Sequence, residues 1–371
     1  MSNLKEIEFK NFITLQRGFD LPSRLRVEGD YPIVASTTIN GFHKEYKVLP
    51  PGVVTGRSGS LGEVQYINQK FWPLNTALWV KDFKGNLPKY VYFFLKTLDL
   101  QRFNSGAGVP TLNRNDLDSL EIKVHNYPTQ QKIAGILSAY DDLIENNTRR
   151  IEILEEMARM LYREWFVKFR FPGHEAVQFV ESELGLIPEG WEVKTVDEIV
   201  KRLKSKKNYK ESEVEKSGAI PIFDQSRDEF LGFHNEEADF NASTDNPMII
   251  FGDHTCKMQL IVEPFSIAPN VIPFISQKNI PITYLYFLVN SLVETIEYKR
   301  HWTEFKNKKV IVCSDRLPEN FHNFTKVNFS EIDCLRKKNI NLRKTRDLLL
   351  PRLISGEIDV ENLAINTGIQ P

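Results

Sequence analysis

The stretch Pro128-Thr129-Gln130-Gln131-Lys132-Ile133-Ala134-Gly135-Ile136-Leu137-Ser138-Ala139-Tyr140-Asp141-Asp142-Leu143-Ile144 opens an apolar seam with a period of seven. Counting by sevens from Leu137 gives Leu137, Ile144, Ile151, Ala158 and Trp165, with Ile133, Tyr140, Asn147, Leu154 and Leu161 interleaved. Apolar side chains repeating every 3.5 residues line one stripe of a helix, and two such helices bury their stripes on each other. Glu145, Arg149, Glu152, Glu156 and Arg163 flank the stripe, and no proline falls between Thr129 and Phe171. The spacing predicts one long helix over about residues 129–169, broken by Phe171-Pro172-Gly173-His174. A second, weaker seam runs through Ile332, Leu335, Asn339, Leu342, Arg346, Leu349 and Leu353. Asn339 and Arg346 interrupt it, Pro351 falls near its end, and Gly356 suits a helix stop. Two amphipathic helices packed on their own domains would give the same pattern, but four heptads favour a paired coil.

Outward from these helices the chain repeats itself. Tyr31-Pro32-Ile33-Val34 is echoed by Ile220-Pro221-Ile222-Phe223, and Gly41-Phe42-His43 by Gly232-Phe233-His234. Val53-Val54-Thr55-Gly56 returns as Ile249-Ile250-Phe251-Gly252. Pro88 to Leu95, rich in aromatics, returns as Pro281 to Leu288. Four echoes in one order, about 190 residues apart, are too long a period for a solenoid and mark a duplicated domain. Each copy contains short β-like runs (31–35, 52–55, 63–67 and 77–80 in the first), a helix near 90–97, and then a long seam helix. Tyr90, Tyr92, Tyr284 and Tyr286 belong to the core in this reading.

The 371 residues suffice for two domains. A composition with 41% hydrophobic and 26% charged residues is that of a soluble globular protein. No stretch approaches the ~20 apolar residues of a membrane span, and the charged first ten residues do not read as a signal peptide. A cytoplasmic protein is therefore expected. Cys256, Cys313 and Cys334 are widely spaced, which fits neither a disulfide framework nor a zinc site. The net charge of -1 is not that of a simple nucleic-acid binder, so any DNA affinity must come from local clusters. Two basic runs exist, Lys201–Lys210 and Lys299–Lys309. Taken alone, each is as readily a solvated surface as a phosphate contact.

The segment from Pro128 to Ser138, with Asp141, Leu143 and Ile144, resembles the domain-to-helix junction of the specificity subunits of type I restriction–modification enzymes. Leu161-Tyr162-Arg163-Glu164-Trp165-Phe166, Ile187-Pro188-Glu189-Gly190-Trp191, and Leu349 to Ile358 are similar to later family segments, so the resemblance spans essentially the whole chain. Gly56 to Gly62 resembles the family's glycine-rich strand–turn, and Ser105-Gly106 to Asn113 its later loop. The second copy departs from both, with Gly252-Asp253-His254-Thr255 at the first site, and it lacks the Pro-x-Gln-Gln junction.

The resemblance implies a mixed α/β fold with two target-recognition domains held apart by two long antiparallel coiled-coil helices. It divides the chain into a first recognition domain (1–131), a spacer helix (132–170), a linker (171–187), a second recognition domain (188–325), a second spacer helix (326–358) and a tail (359–371). It implies a non-catalytic chain that binds a bipartite double-stranded DNA site, with methylase subunits, usually two, and motor-nuclease subunits as partners. No cofactor and no metal are expected. A helix from Leu137 to Trp165 would span roughly 43 Å, on the order of 13 base pairs, which suits half-sites about one turn apart.

Base reading favours Arg or Lys on guanine and Asn or Gln on adenine. The DNA-binding candidates in the first copy are Arg57 and Ser58 in the glycine-rich turn, with Lys44, Lys47, Arg102 and Arg114 nearby in sequence. In the second they are Lys204, Lys206 and Lys207 of the basic run, His254 and Lys257 in the turn with Asp253, and Arg227 beside Gln225 and Asp228. Each, alone, reads equally as an ordinary turn or surface residue. A DNA methyltransferase would need a cofactor glycine loop and an (N/D)PP(Y/F) motif, and neither is present. A nuclease core is only faintly suggested by Glu189, Glu192 and Lys194, without an upstream aspartate. A coiled-coil interaction protein with no DNA role is the other class, favoured by the neutral charge and disfavoured by the duplication.

Overall fold

The computed structural model describes residues 4–105, 110–225, 230–277, 279–295 and 299–363. The chain divides into two compact units, residues 1–146 with 339–371, and residues 147–338. Both divisions fall within long helices, not at the ends of the globular parts.

The first unit contains β1 (Lys5–Glu8), β2 (Thr14–Arg17), β3 (Tyr31–Val34), β4 (Ile39–His43), β5 (Gly52–Gly56), β6 (Val64–Ile67), β7 (Trp72–Pro73) and β8 (Ala77–Asp82). Then come α1 (Pro88–Thr97), α2 (Arg114–Asp118), β9 (Glu121–Val124) and α3 (Tyr127–Tyr162). Strands β2-β8-β5-β6 form one sheet, β4-β3-β7 a second in which β3 and β7 run parallel, and β1 pairs with β9. The run GVVTG of β5 is buried at all five positions, as a central strand covered on both faces must be. Helix α1 starts at Pro88, where a missing N–H is harmless, and buries Tyr90, Val91, Phe93, Phe94 and Leu95. Those side chains join Phe9, Phe12, Ile133, Ala134, Leu137 and, from the C-terminal end of the chain, Leu353 and Ile354 in one core. Each fully buried Leu, Ile or Phe there contributes about 1.5–3 kcal/mol.

The second unit contains β10 (Phe179–Ser182), β11 (Gly185–Pro188), β12 (Glu192–Thr195), α4 (Val196–Ile199), β13 (Val200–Arg202), β14 (Ile220–Phe223), β15 (Gly232–His234) and β16 (Phe240–Asn241). It continues with β17 (Met248–Gly252), β18 (Met258–Ile261), β19 (Pro264–Ile267), β20 (Val271–Ser276), α5 (Ile282–Val289), α6 (Trp302–Lys306), β21 (Lys309–Val312) and α7 (Leu317–Ile354). Strands β13-β20-β17-β18 repeat the order β2-β8-β5-β6. Strands β15-β14-β19, with β14 and β19 parallel, repeat β4-β3-β7, and β12 pairs with β21 as β1 does with β9. Each sequence echo falls on a matching pair: β3 and β14, β4 and β15, β5 and β17, α1 and α5. Register follows too, since Tyr31 lies opposite His43 and Ile220 opposite His234. The aromatic helices are anchored alike. The buried Tyr90 hydroxyl accepts the N–H of His125 at 3.5 Å, and the buried Tyr284 hydroxyl that of Cys313 at 3.1 Å. These tyrosines are core residues, as read.

Several boundaries move. Residues 171–187, read as a linker, instead carry an antiparallel β10–β11 pair, and Phe171 and Ile187 are buried with Trp191. The cause is aromatic: Phe171 stacks on Trp191 with ring centroids 5.7 Å apart. Helix α3 begins at Tyr127 and gives way to a π turn over Arg163–Val167. Helix α7 begins at Leu317, nine residues before position 326, with Pro318 in its first turn as Pro128 is in that of α3. Gly356 takes a positive φ of 76°, as a helix stop requires.

Within each unit the two long helices run antiparallel. In the first, Asp141 pairs with Arg346 at 2.6 Å and the Ile144 carbonyl accepts from Asn339 Nδ2 at 3.4 Å, so numbers rise on α3 as they fall on α7. In the second, Arg150 pairs with Glu331 at 2.8 Å and Tyr162 meets Phe321 with ring centroids 6.0 Å apart. The polar interruptions of the weaker seam are thus partnered, since Arg346 and Asn339 each meet a group on α3. Among the described residues no helix is long and apolar enough to cross a membrane.

Candidate nucleic-acid interface

In the first unit, the ends of β2 and β5, the start of β8 and the approach to α2 enclose an open cleft of about 870 Å³. Gln16, Arg17, Asp20, Arg57, Asn113 and Arg114 line it. Gly56 ends β5 where a Cβ would run into the Ser60 carbonyl oxygen, so glycine is required for the turn to close. Arg57 is then fixed through its backbone. Its N–H donates to the Thr76 carbonyl at 2.9 Å, and its carbonyl accepts the Leu112 N–H at 2.8 Å. Its guanidinium reaches the Asn75 carbonyl at 3.4 Å, while Arg114 reaches the Leu15 carbonyl at 3.5 Å. Ser58 is tied into the same turn, with its carbonyl accepting the Ser36 hydroxyl at 2.9 Å. Ser58 and Ser36 line an adjoining cleft of about 530 Å³ with Thr37, Asn40 and Asn75.

The second unit has a cleft of about 640 Å³ built from the matching elements: the end of β13, the turn after β17, the start of β20 and the approach to α6. Arg202, Lys204, Asn208, Asp253, Asn270 and Arg300 line it. Both clefts therefore hold three cations against one carboxylate, in a chain whose net charge is -1. Groups so grouped in a concave surface raise the local concentration of anions.

The sequence candidates divide on this geometry. Arg57 and Arg114, 57 residues apart in the chain, come together, and Lys204 lines the second cleft. Lys44, exposed after β4, lines neither, and Arg102 lies over the Phe103 ring at 4.8 Å instead. The Lys206 and Lys207 amides both donate to the Asp239 carboxylate at 3.1 Å, and the Lys207 ammonium sits 4.1 Å from the Tyr209 ring centroid. His254 holds the turn, with Nδ1 3.0 Å from the Lys299 carbonyl and its amide donating to Gln225 Oε1 at 2.9 Å. Lys257 closes the same turn, its carbonyl accepting the Gly252 N–H at 2.8 Å. Arg227 and Asp228 lie outside the described residues. Sequence reasoning missed Arg17, Arg202 and Arg300. Arg17 and Arg202 end matching strands that none of the four echoes covers, and Arg202 stood undistinguished in the basic run from Lys201. The basic run from Lys299 contained Arg300 without distinguishing it.

Residues 1–156 match the family described as the type I restriction modification DNA specificity domain. The chain is 30% identical over 352 residues to the type I restriction enzyme MjaIX specificity subunit of Methanocaldococcus jannaschii, covering 85% of this chain and 80% of that one. A shorter stretch of 89 residues, 22% of this chain and 19% of the relative, is 32% identical to the HindI specificity subunit of Haemophilus influenzae. The crystal structure of the type I restriction–modification S subunit from M. genitalium shares the fold, with a TM-score of 0.64 at 20% identity over 95% of this chain and 96% of that one. Identity sustained over most of both chains, with a shared mixed α/β fold, places this chain in the family of type I restriction–modification specificity subunits, the non-catalytic component of those enzymes.

Proposed function

We propose that this chain reads a bipartite double-stranded DNA site, one half-site for each recognition domain, and thereby chooses where partner subunits act. The observation that carries the reading is the pair of matching clefts, each with three cations against one carboxylate, in elements that repeat in order and register. A duplicated reader is what a split site asks for, and cations near phosphates supply the counterion release that drives binding. The readers correspond to residues 1–131 and 188–325, with Arg57, Ser58, Arg114 and Lys204 as DNA contacts. The seams of α3 and α7 form a coiled coil whose length sets the gap between half-sites. The partners are methylase subunits, two per complex, and motor-nuclease subunits.

Methylation-aware sequencing of the host, with and without this gene, tests the proposal. A methylated motif in two parts separated by an unspecified gap should vanish on deletion and return on complementation. A methylome unchanged by deletion in a host whose partner methylase is expressed overturns it.

A further inference from the structure

The turn that follows the central strand differs in the two units. After Gly56 stands Arg57, half-exposed in the first cleft; after Gly252 stands Asp253, whose side chain is only 9% exposed. Asp253 does not present its carboxylate to solvent. Its Oδ1 accepts the N–H of His301 at 3.0 Å and of Trp302 at 2.8 Å, and its backbone carbonyl accepts the His301 N–H at 2.8 Å. These bonds fix the chain at the start of α6. The neighbouring residue, Arg300, stands with its side chain 78% exposed and its Nε 3.9 Å from Asp253 Oδ2. Beside it in the cleft are Lys204 and Arg202, the latter with its guanidinium 5.8 Å from the Trp302 ring centroid.

We propose that Arg300 contacts the phosphate backbone of the second half-site from the approach to α6, the place that Arg114 holds on the approach to α2, and that Asp253 is its positioning residue. The turn's own cation is lost at Asp253, and Lys204 just past the end of β13 restores the count, which keeps the charge of the cleft while the sequence of the turn changes. A long, exposed guanidinium flanked by two further cations suits phosphate contact, which positions a protein on DNA without specifying bases. Of the candidates that sequence alignment of the turns selects, Lys257 closes the turn through its carbonyl, and His254 holds the same loop as Asp253, with Nδ1 3.0 Å from the Lys299 carbonyl. The proposal rests on the DNA-reading function above.

The test uses the full chain assembled with its methylase partner and a duplex carrying the motif obtained from the methylome. R300A should weaken binding about tenfold at moderate salt and lower the slope of log affinity against log salt by about 1, as loss of one phosphate contact does. R300K should restore most of the slope, and the methylated motif should keep its sequence. D253N retains an oxygen acceptor for His301 and Trp302, so it reports on the carboxylate alone and should shift affinity less than R300A. An R300A complex with wild-type affinity and slope overturns the assignment, provided R57A weakens binding. An altered motif with R300A also overturns the phosphate role, by making Arg300 a base reader. If wild-type complex binds the motif duplex no better than a scrambled one, the failure belongs to the DNA-reading function and not to Arg300.

Discussion

The turns after β5 and β17 share a frame and differ in chemistry. In both, a glycine ends a strand whose last four residues are buried, and the following residue lies in a cleft of the same construction. In the first unit that residue is a cation facing the cleft; in the second it is a buried carboxylate that caps another loop. A fold can therefore hold a charge pattern constant while moving it between segments. The charge pattern is a property of the assembled cleft, and residue-by-residue alignment of the two turns does not show it.

The two glycines give the sharpest way to break this equivalence. A Cβ at Gly56 meets the backbone carbonyl of Ser60, which moves only with the whole turn. At Gly252 it meets Thr255 Oγ1, a side-chain atom that can rotate away, and Gln225 Cβ at 2.8 Å. G56A should therefore cost about 3 kcal/mol, the upper end for overpacking, and G252A, where the Gln225 segment must still shift, less than that. Urea denaturation of the two variants checks the order. Equal losses would mean that the two turns are equally constrained at the glycine, against the difference in what a Cβ would meet.

A smaller difference is expected from the tyrosine anchors. Tyr284 accepts the Cys313 amide at 3.1 Å and Tyr90 the His125 amide at 3.5 Å, both in buried surroundings. Removing the hydroxyl leaves a buried N–H unsatisfied, at a cost of roughly 1–3 kcal/mol where the bond was well made. Y284F should fall within that range and Y90F below it, since the longer bond has less to lose. Hydrogen exchange at the Cys313 and His125 amides reads the two effects separately, with acceleration expected at Cys313 first.

The long helices were legible in the sequence because seam periodicity is written into consecutive turns of one segment. The echoes located matching strands for the same reason, since each lies within four or five residues. Asp253 was not legible as a positioning residue. Its partners His301 and Trp302 are 48 and 49 residues away, and no local pattern announces a carboxylate capping a distant loop. The β10–β11 pair was hidden because Phe171-Pro172-Gly173-His174 read as the opening of a linker, while its tether to the core is the contact between Phe171 and Trp191. The start of α7 was missed because the Pro-x-Gln-Gln junction was sought whole. Pro318 alone keeps the place of Pro128, and Gln130, buried in the first unit, donates to Asn86 Oδ1 and the His125 carbonyl and accepts the Leu87 N–H there.

The residue that follows the last strand of each unit offers the finest contrast. It is His125 in the first and Cys313 in the second, each with its amide on the anchoring tyrosine. His125 Nε2 lies 3.0 and 3.2 Å from the carbonyls of Leu353 and Ile354, so it carries the proton, and Nδ1 is buried without a partner among the described residues. Burial pushes the imidazole below its ordinary value, against the pull of those carbonyls and of Glu361 and Asp359. The unfolded chain then binds more protons than the folded one as pH falls below ~6.5. Stability is full above that region and declines as pH drops through it towards the lowered folded value. His322 in the second unit, depressed by burial and by Lys326, adds a decline of the same sign. H125Q should therefore flatten only part of the pH dependence of unfolding, and H125Q with H322Q more of it. Cys313, whose thiol is pushed up by burial, adds nothing in that window. A slope unchanged by H125Q would mean that this imidazole takes up its second proton as readily folded as unfolded, which its unpartnered Nδ1 argues against.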